Sequence, residues 1–165
     1  MNPRLGYVAG TAICAGLLGF GLYLQYAGGQ DPCPLCILQR ITFIALGLVF
    51  LVAAVHGPGK IGAIVYAVIG GLLAATGAGI AARHVWLQNL PADQVPACGP
   101  GLAYMIERFP LMRLLEKVLS GSGECAEAGW KFIGLSIAGW SLLWFVLLGG
   151  LVVWLAWYRG RRAAS

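Results

Sequence analysis

Cys33 and Cys36 stand two residues apart in the stretch Asp31-Pro32-Cys33-Pro34-Leu35-Cys36-Ile37-Leu38-Gln39-Arg40. Two thiols at this spacing can close a small disulfide ring, and opening or closing that ring moves two electrons by thiol–disulfide exchange. Pro32 and Pro34 stiffen the approach, and Pro34 does not fit a regular helix interior. The pattern predicts that Cys36 lies in the first turn of a helix running on through Arg40. A helix amino terminus stabilises a thiolate, and a nearby cation adds to this. Arg40 follows Cys36 by four residues and so shares its helix face. Cys36 is thus the better candidate for a reactive thiolate. Arg40 has a plainer reading as an interfacial arginine that snorkels to lipid headgroups, but an ionisable group at a membrane edge beside a CxxC is a functional candidate.

Three further cysteines complete the set. Cys98 and Cys125 are separated by 26 residues, and no second CxxC exists. Four cysteines could bind zinc, yet zinc sites commonly pair two short-spaced motifs, so no metal site is expected. Two purely structural disulfides are the plainer alternative, and the protein would then be a membrane scaffold with stapled loops. Cys14 falls in the middle of an apolar run, where a small packing residue is the simplest role. His84 follows Arg83 near the end of another apolar run, at a depth similar to Arg40. It reads equally as a satisfied interfacial residue or as a group that binds or protonates a polar ligand headgroup.

The elements that carry these residues follow from composition. Of the 165 residues, 59% are hydrophobic and 10% charged, and mean hydropathy is +0.81. Soluble domains carry about a quarter charged residues, so lipid must be the solvent. Uncharged windows of 26, 19, 22 and 27 residues separate Arg4 from Asp31, Arg40 from Lys60, Lys60 from Arg83 and Lys131 from Arg159. A membrane-crossing helix needs about 20 apolar residues, and these windows lack the alternation of strands. The fold class expected is an all-α integral membrane protein, a single domain over 1–165. Its four transmembrane helices are expected at about 6–27, 37–55, 61–82 and 133–157. The first window is longer than the apolar region of a signal peptide and reads as a retained helix.

Charge placement orients the bundle. Arg4, Lys60 and the tail arginines Arg159, Arg161 and Arg162 fall on one side, which the positive-inside rule makes cytoplasmic. The net charge of +5 therefore belongs to a membrane surface, and no nucleic-acid partner is expected. Both termini are inside. The loops at about 28–36 and 87–131 then face outward and carry Cys33, Cys36, Cys98 and Cys125. In a bacterium that compartment is the periplasm, where disulfides persist, which places the protein in the inner membrane. Within the second outer loop, Leu111, Leu114, Leu115 and Val118 follow helical spacing, predicting a short amphipathic helix in the interface plane. Gly71, Ala75 and Gly79, like Ala12 and Gly16, repeat every four residues and suggest close helix packing in lipid. Trp86, Trp130 and Tyr158 fit an aromatic belt.

Taken together, Pro32-Cys33-Pro34-Leu35-Cys36-Ile37-Leu38-Gln39-Arg40, Arg108-Phe109-Pro110 and Gly123-Glu124-Cys125-Ala126-Glu127, followed by Trp130, Phe132, Gly134 and Leu135, resemble the DsbB family. The likeness extends over nearly the whole chain. It implies a thiol:quinone oxidoreductase that reoxidises a periplasmic DsbA-like thioredoxin-fold protein. The electrons would pass to ubiquinone or menaquinone, recycled by the respiratory chain. By this resemblance Cys98 forms the mixed disulfide with the partner. Electrons pass from Cys98–Cys125 to Cys33–Cys36, with a Cys33–Cys125 bond as an intermediate. Cys36 and Arg40 face the quinone, and His84 aligns with a histidine near it. Cys14 is outside the family's redox set. Two other redox readings fit less well. An outward reductive relay would need a second thiol system on the inner side, and a vitamin K epoxide reductase-like enzyme would carry its reactive CxxC near the last helix.

Overall fold

The computed structural model describes residues 3–29, 32–91, 93–94, 110, 123–126 and 131–162. Four long helices dominate: α1 (Pro3–Tyr26), α2 (Pro34–His56), α3 (Lys60–Gln88) and, last in the chain, α5 (Ile137–Arg162). A single turn, α4 (Gly123–Ala126), and a two-stranded antiparallel hairpin, β1 (Lys131–Phe132) and β2 (Leu135–Ser136), precede α5. All four long helices are long and apolar enough to cross a membrane, so the protein is the multi-pass all-α bundle that its sequence predicts.

Local chemistry sets the ends of these helices. Pro34 opens α2, where its missing N–H would lack a helical partner anyway. Gly57 closes α2 in the left-handed region at φ 59°, donating its N–H to the Ala53 carbonyl at 3.0 Å, an arrangement that favours glycine. The last long helix starts at Ile137, later than the expected position near 133, because Ile133 (φ 52°) and Gly134 (φ 78°) turn the chain into the hairpin. Phe132, Ile133 and Leu135 extend the apolar run without extending the helix. The Gly139 N–H then donates to Ser136 Oγ at 3.3 Å at the start of α5.

The helices pack in the order α1–α2–α3–α5, with the most extensive seam between α3 and α5 and a sparser one between α1 and α5. Phe43 of α2 stacks on Phe145 of α5, with ring centroids 3.9 Å apart. Tyr7, Cys14, Leu46, Phe50, Leu148 and Val152 fill the core around that pair. The small residues buried along α3 are Gly70, Ala74, Gly77 and Ala81. Gly71 has open space beside it, Ala75 and Gly79 are exposed, and so are Ala12 and Gly16 on α1. The expected small-residue stripe therefore lies on the wrong face. A helix this rich in Gly and Ala carries interleaved stripes, and spacing alone does not choose between them. Large apolar side chains such as Val55 and Ile61, exposed by 78% and 79%, face outward as lipid contact requires.

Candidate redox site

The site forms where α2 begins. Cys33 is the N-cap of α2, with φ −64° and ψ 162°, and no side chain caps the helix. Cys36 is the third residue of the helix, in its first turn as expected, and the Ile37 N–H donates to the Cys33 carbonyl at 3.2 Å. The remaining first-turn N–H groups have no partner inside the helix and concentrate positive potential beside both sulfurs. The two sulfurs are 3.3 Å apart and not joined as a disulfide, and Cys14 is a free thiol. A disulfide needs about 2.05 Å, so a small rotation of the two side chains suffices to close the ring.

One helical turn separates the surroundings of the two sulfurs. Half-buried Cys36 lines a cavity of about 520 Å³ between α1, α2 and the start of α5, where the α1–α5 seam is sparse. Leu17, Leu24, Phe43, Phe132, Trp140 and Trp144 give the cavity an apolar wall, and Gln25, Gln39, Arg40 and Ser141 are its polar members. Trp140 is fixed from outside, its Nε1–H donating to the Phe132 carbonyl at 3.1 Å. Arg40 crosses from α2 to the end of α1. One terminal N–H donates to Gln25 Oε1, and the other donates to the Gly21 carbonyl at 3.0 Å. Both partners are neutral, so among the described residues the guanidinium brings its positive charge to the cavity that holds Cys36 with no acidic partner.

Cys33 does not line that cavity. It is buried in an apolar cluster with Leu35, Leu87 and Cys125, against which Cys36, Leu38, Ile80 and Leu90 pack. Cys125 is fully buried on α4, which rests against α3. His84 Nε2 is 3.7 Å from Cys33 Sγ, and the imidazole is only 3% exposed. Gln39 Nε2 meets His84 Nδ1 at 3.1 Å, and Gln88 Nε2 lies 3.4 Å from His84 Nε2. Two amides, one from α2 and one from the next turn of α3, therefore orient the ring.

The structure thus gathers Cys33, Cys36, Arg40, His84 and Cys125 at one end of the bundle. Arg40 and Cys36 share the cavity, whereas His84 is not among its lining residues and abuts Cys33 instead. Helix α3 continues to Gln88, beyond the expected end near 82, and this carries Arg83 and His84 inside the helix. Arg83 lies over the Trp86 ring at 4.2 Å. Cys14 is buried in the core far along α1, against Gly47 of α2. Cys98 and the expected amphipathic helix over 111–118 lie outside the described residues. Sequence reasoning passed over Gln25, Gln39 and Gln88. Their signal was present, since a glutamine in an apolar span needs a partner, but the partners of Gln25 and Gln39 come from other helices, and only that of Gln88 lies one turn away on its own helix.

The chain matches the family model described as disulfide bond formation protein DsbB over residues 3–155. It is 55% identical over 162 residues to disulfide bond formation protein B of Hahella chejuensis, covering 98% of this chain and 96% of that protein. The like-named protein of Chromobacterium violaceum is 50% identical with the same two coverages. That of Nitrosococcus oceani is 51% identical over 154 residues, covering 93% of this chain and 91% of the relative.

Proposed function

This chain belongs to the DsbB family and is a disulfide-generating oxidoreductase of the membrane, and from that premise we propose how its site divides the work. Cys36 and Arg40 serve an acceptor in the cavity, and Cys33 serves the thiols that arrive from the loop bearing Cys98 and Cys125. The acceptor is a membrane quinone, ubiquinone or menaquinone. The dithiol donor is a DsbA-like thioredoxin-fold protein on the periplasmic side, with both termini of this chain in the cytoplasm. The observation that carries the proposal is the asymmetry of the pair, whose sulfurs are 3.3 Å apart: Cys36 lines the cavity and Cys33 does not, while Cys33 is buried with Cys125 in a cluster that Cys36 only borders.

The residues fit a quinone. A volume of about 520 Å³ falls within the roughly 300–1,000 Å³ of ligand sites. Aromatic and leucine walls suit a flat ring with an apolar tail, and Arg40 offers charged donors to a carbonyl oxygen. A bound quinone supplies a two-electron acceptor. The protein's own part is exchange chemistry. The donor's thiolate attacks the Cys98–Cys125 disulfide at Cys98 and releases Cys125 as a thiolate. Cys125 Sγ then attacks Cys33 Sγ of the Cys33–Cys36 disulfide, forming Cys33–Cys125 and releasing Cys36 as a thiolate into the cavity. The helix amino terminus and Arg40 stabilise that anion. The donor's second thiolate displaces Cys98, whose Sγ attacks Cys125 Sγ of the Cys33–Cys125 bond and releases Cys33 as a thiolate beside His84, which Gln39 and Gln88 orient.

The test is anaerobic quinone reduction by purified protein, with a reduced DsbA-like protein as electron donor. Wild type reduces quinone in proportion to the donor thiols consumed, and Cys36→Ser does not. Wild type that stays folded and binds quinone, yet oxidises no donor, would overturn the assigned partner.

A further inference from the structure

A second capacity lies on the Cys33 side of the pair. The Sγ atoms of Cys33 and Cys36 and one ring nitrogen of His84 all lie within 4.8 Å of one another. The sulfurs are 3.3 Å apart, and Cys33 Sγ is 3.7 Å from Nε2. In a tetrahedral zinc site, metal–sulfur bonds of about 2.3 Å and metal–nitrogen bonds of about 2.0–2.1 Å separate two sulfurs by about 3.8 Å and a sulfur from a nitrogen by about 3.6 Å. Both observed edges need only small side-chain rotations to meet these spacings. Gln39 Nε2 meets Nδ1 at 3.1 Å, and Gln88 Nε2 lies 3.4 Å from Nε2, the nitrogen nearest Cys33 Sγ, so a metal bound at Nε2 takes the place of the Gln88 contact. A metal-binding histidine usually donates its other ring N–H to a fixed acceptor, which the Gln39 amide supplies when its oxygen is turned toward Nδ1.

We propose that the reduced Cys33–Cys36 pair, together with His84, binds a thiophilic divalent cation such as Zn²⁺ or Cd²⁺ through two sulfurs and one nitrogen. Binding replaces two S–H protons, which leave to solvent, with two metal–sulfur bonds, and no atom changes oxidation state. Three protein donors leave one tetrahedral position for a water or a small thiolate. Cys125 packs in the same buried cluster as Cys33 but is not one of the three converging donors. The site exists only in the reduced protein, because a Cys33–Cys36 disulfide consumes both thiolates. A bound ion therefore holds the pair reduced. That consequence for turnover rests on the electron path proposed above, whereas the binding itself does not. Cysteine spacing alone argues against a metal site because the third donor comes from α3, 51 residues from Cys33.

The test uses the full chain carrying Cys98→Ser and Cys125→Ser, so that Cys33 and Cys36 are the only thiols left apart from Cys14, which is buried in the core far along α1. After reduction and removal of the reductant, anaerobic titration with Co²⁺ is expected to reach one equivalent per chain, with thiolate-to-cobalt absorption that Zn²⁺ abolishes. The same protein oxidised to its Cys33–Cys36 disulfide should give no such absorption. His84→Ala should weaken binding roughly 10- to 100-fold. X-ray absorption of the zinc-loaded protein needs no change at His84 and should count two sulfurs and an imidazole nitrogen. Equal binding by the oxidised protein, unchanged affinity in His84→Ala, a shell without two sulfurs, or no saturable binding would each overturn the proposal. Metal-free quinone reduction by wild type, measured alongside, separates the two ideas: turnover without metal binding overturns this inference alone.

Discussion

The two halves of the bundle are built on opposite principles. Away from the cysteines the helices close onto one another. A side chain at Gly10 would meet the Phe50 ring at 2.6 Å, and one at Gly77 would collide with Phe145. At the cysteine end α1 and α5 part around a cavity of about 520 Å³, and polar groups enter the interior. Those groups are held by side chains and carbonyls around them: Arg40 by Gln25 and Gly21 of α1, and His84 by Gln39 of α2 and by Gln88 one turn on along α3. The closed half can be rigid because apolar packing asks only for shape. The open half can be reactive because each buried polar group is held by a partner on a neighbouring helix or the next turn, and an unpartnered one would be costly. Gln39 joins the two faces of the site, since it lines the cavity and also holds His84.

Replacing single residues should separate the halves. The largest effect belongs to Cys36→Ser, which should lower quinone reduction on the order of 10³-fold or more and leave the thermal unfolding midpoint in detergent nearly unchanged. A scaffold with structural disulfides would give the reverse, lost stability at full activity. Arg40→Met comes next. Removing a charged donor at a reacting site costs roughly 10²- to 10³-fold, read here as kcat/KM for quinone, and Arg40→Lys should recover only part of it because an ammonium does not reproduce the planar fork.

The closed half should answer in stability instead. Gly77→Ala places a methyl group where Phe145 sits, and overpacking of this kind costs about 1–3 kcal/mol. Gly71→Ala, on the α3 stripe that spacing suggested, meets open space and should stay within about 0.5 kcal/mol. Equal losses from the two would erase the distinction between the buried and exposed faces of α3. The smallest change expected is Gln25→Ala, which removes one anchor of Arg40. A hydrogen bond from a charged donor is worth about 1.5–3 kcal/mol, but Arg40 keeps its bond to the Gly21 carbonyl, so quinone reduction should fall only roughly tenfold, with stability little affected.

The part of the site that lies within one turn of one helix was legible in the sequence. Pro34, Cys36 and Arg40 fix the helix start, the first-turn thiol and the shared face by spacing alone. Hydropathy likewise revealed four spans. What depends on contacts between helices was not legible. Nothing local ties His84 to Cys33, or Gln25 to Arg40, across 51 and 15 residues. The Gly and Ala residues of α3 fit a packing stripe on either of two faces. Phe132, Ile133 and Leu135 read as the start of a helix, and only the left-handed backbone at Ile133 and Gly134 turns them into a hairpin. Sequence hydrophobicity reports burial in lipid and in protein alike, so it does not locate a cavity.

The central claim is the polarity of the pair, Cys33 toward the exchanging thiols and Cys36 toward the cavity. It is tested most directly by mapping disulfides, after an acid quench, in Cys36→Ser and Cys33→Ser proteins prepared with the Cys98–Cys125 disulfide intact, where the one thiolate left in the pair can attack Cys125 Sγ and release Cys98 as a thiolate. The predicted result is a Cys33–Cys125 bond that accumulates in Cys36→Ser, with no comparable Cys36–Cys125 bond in Cys33→Ser. Formation of Cys36–Cys125 as fast as Cys33–Cys125 would contradict the assignment of one sulfur to each side.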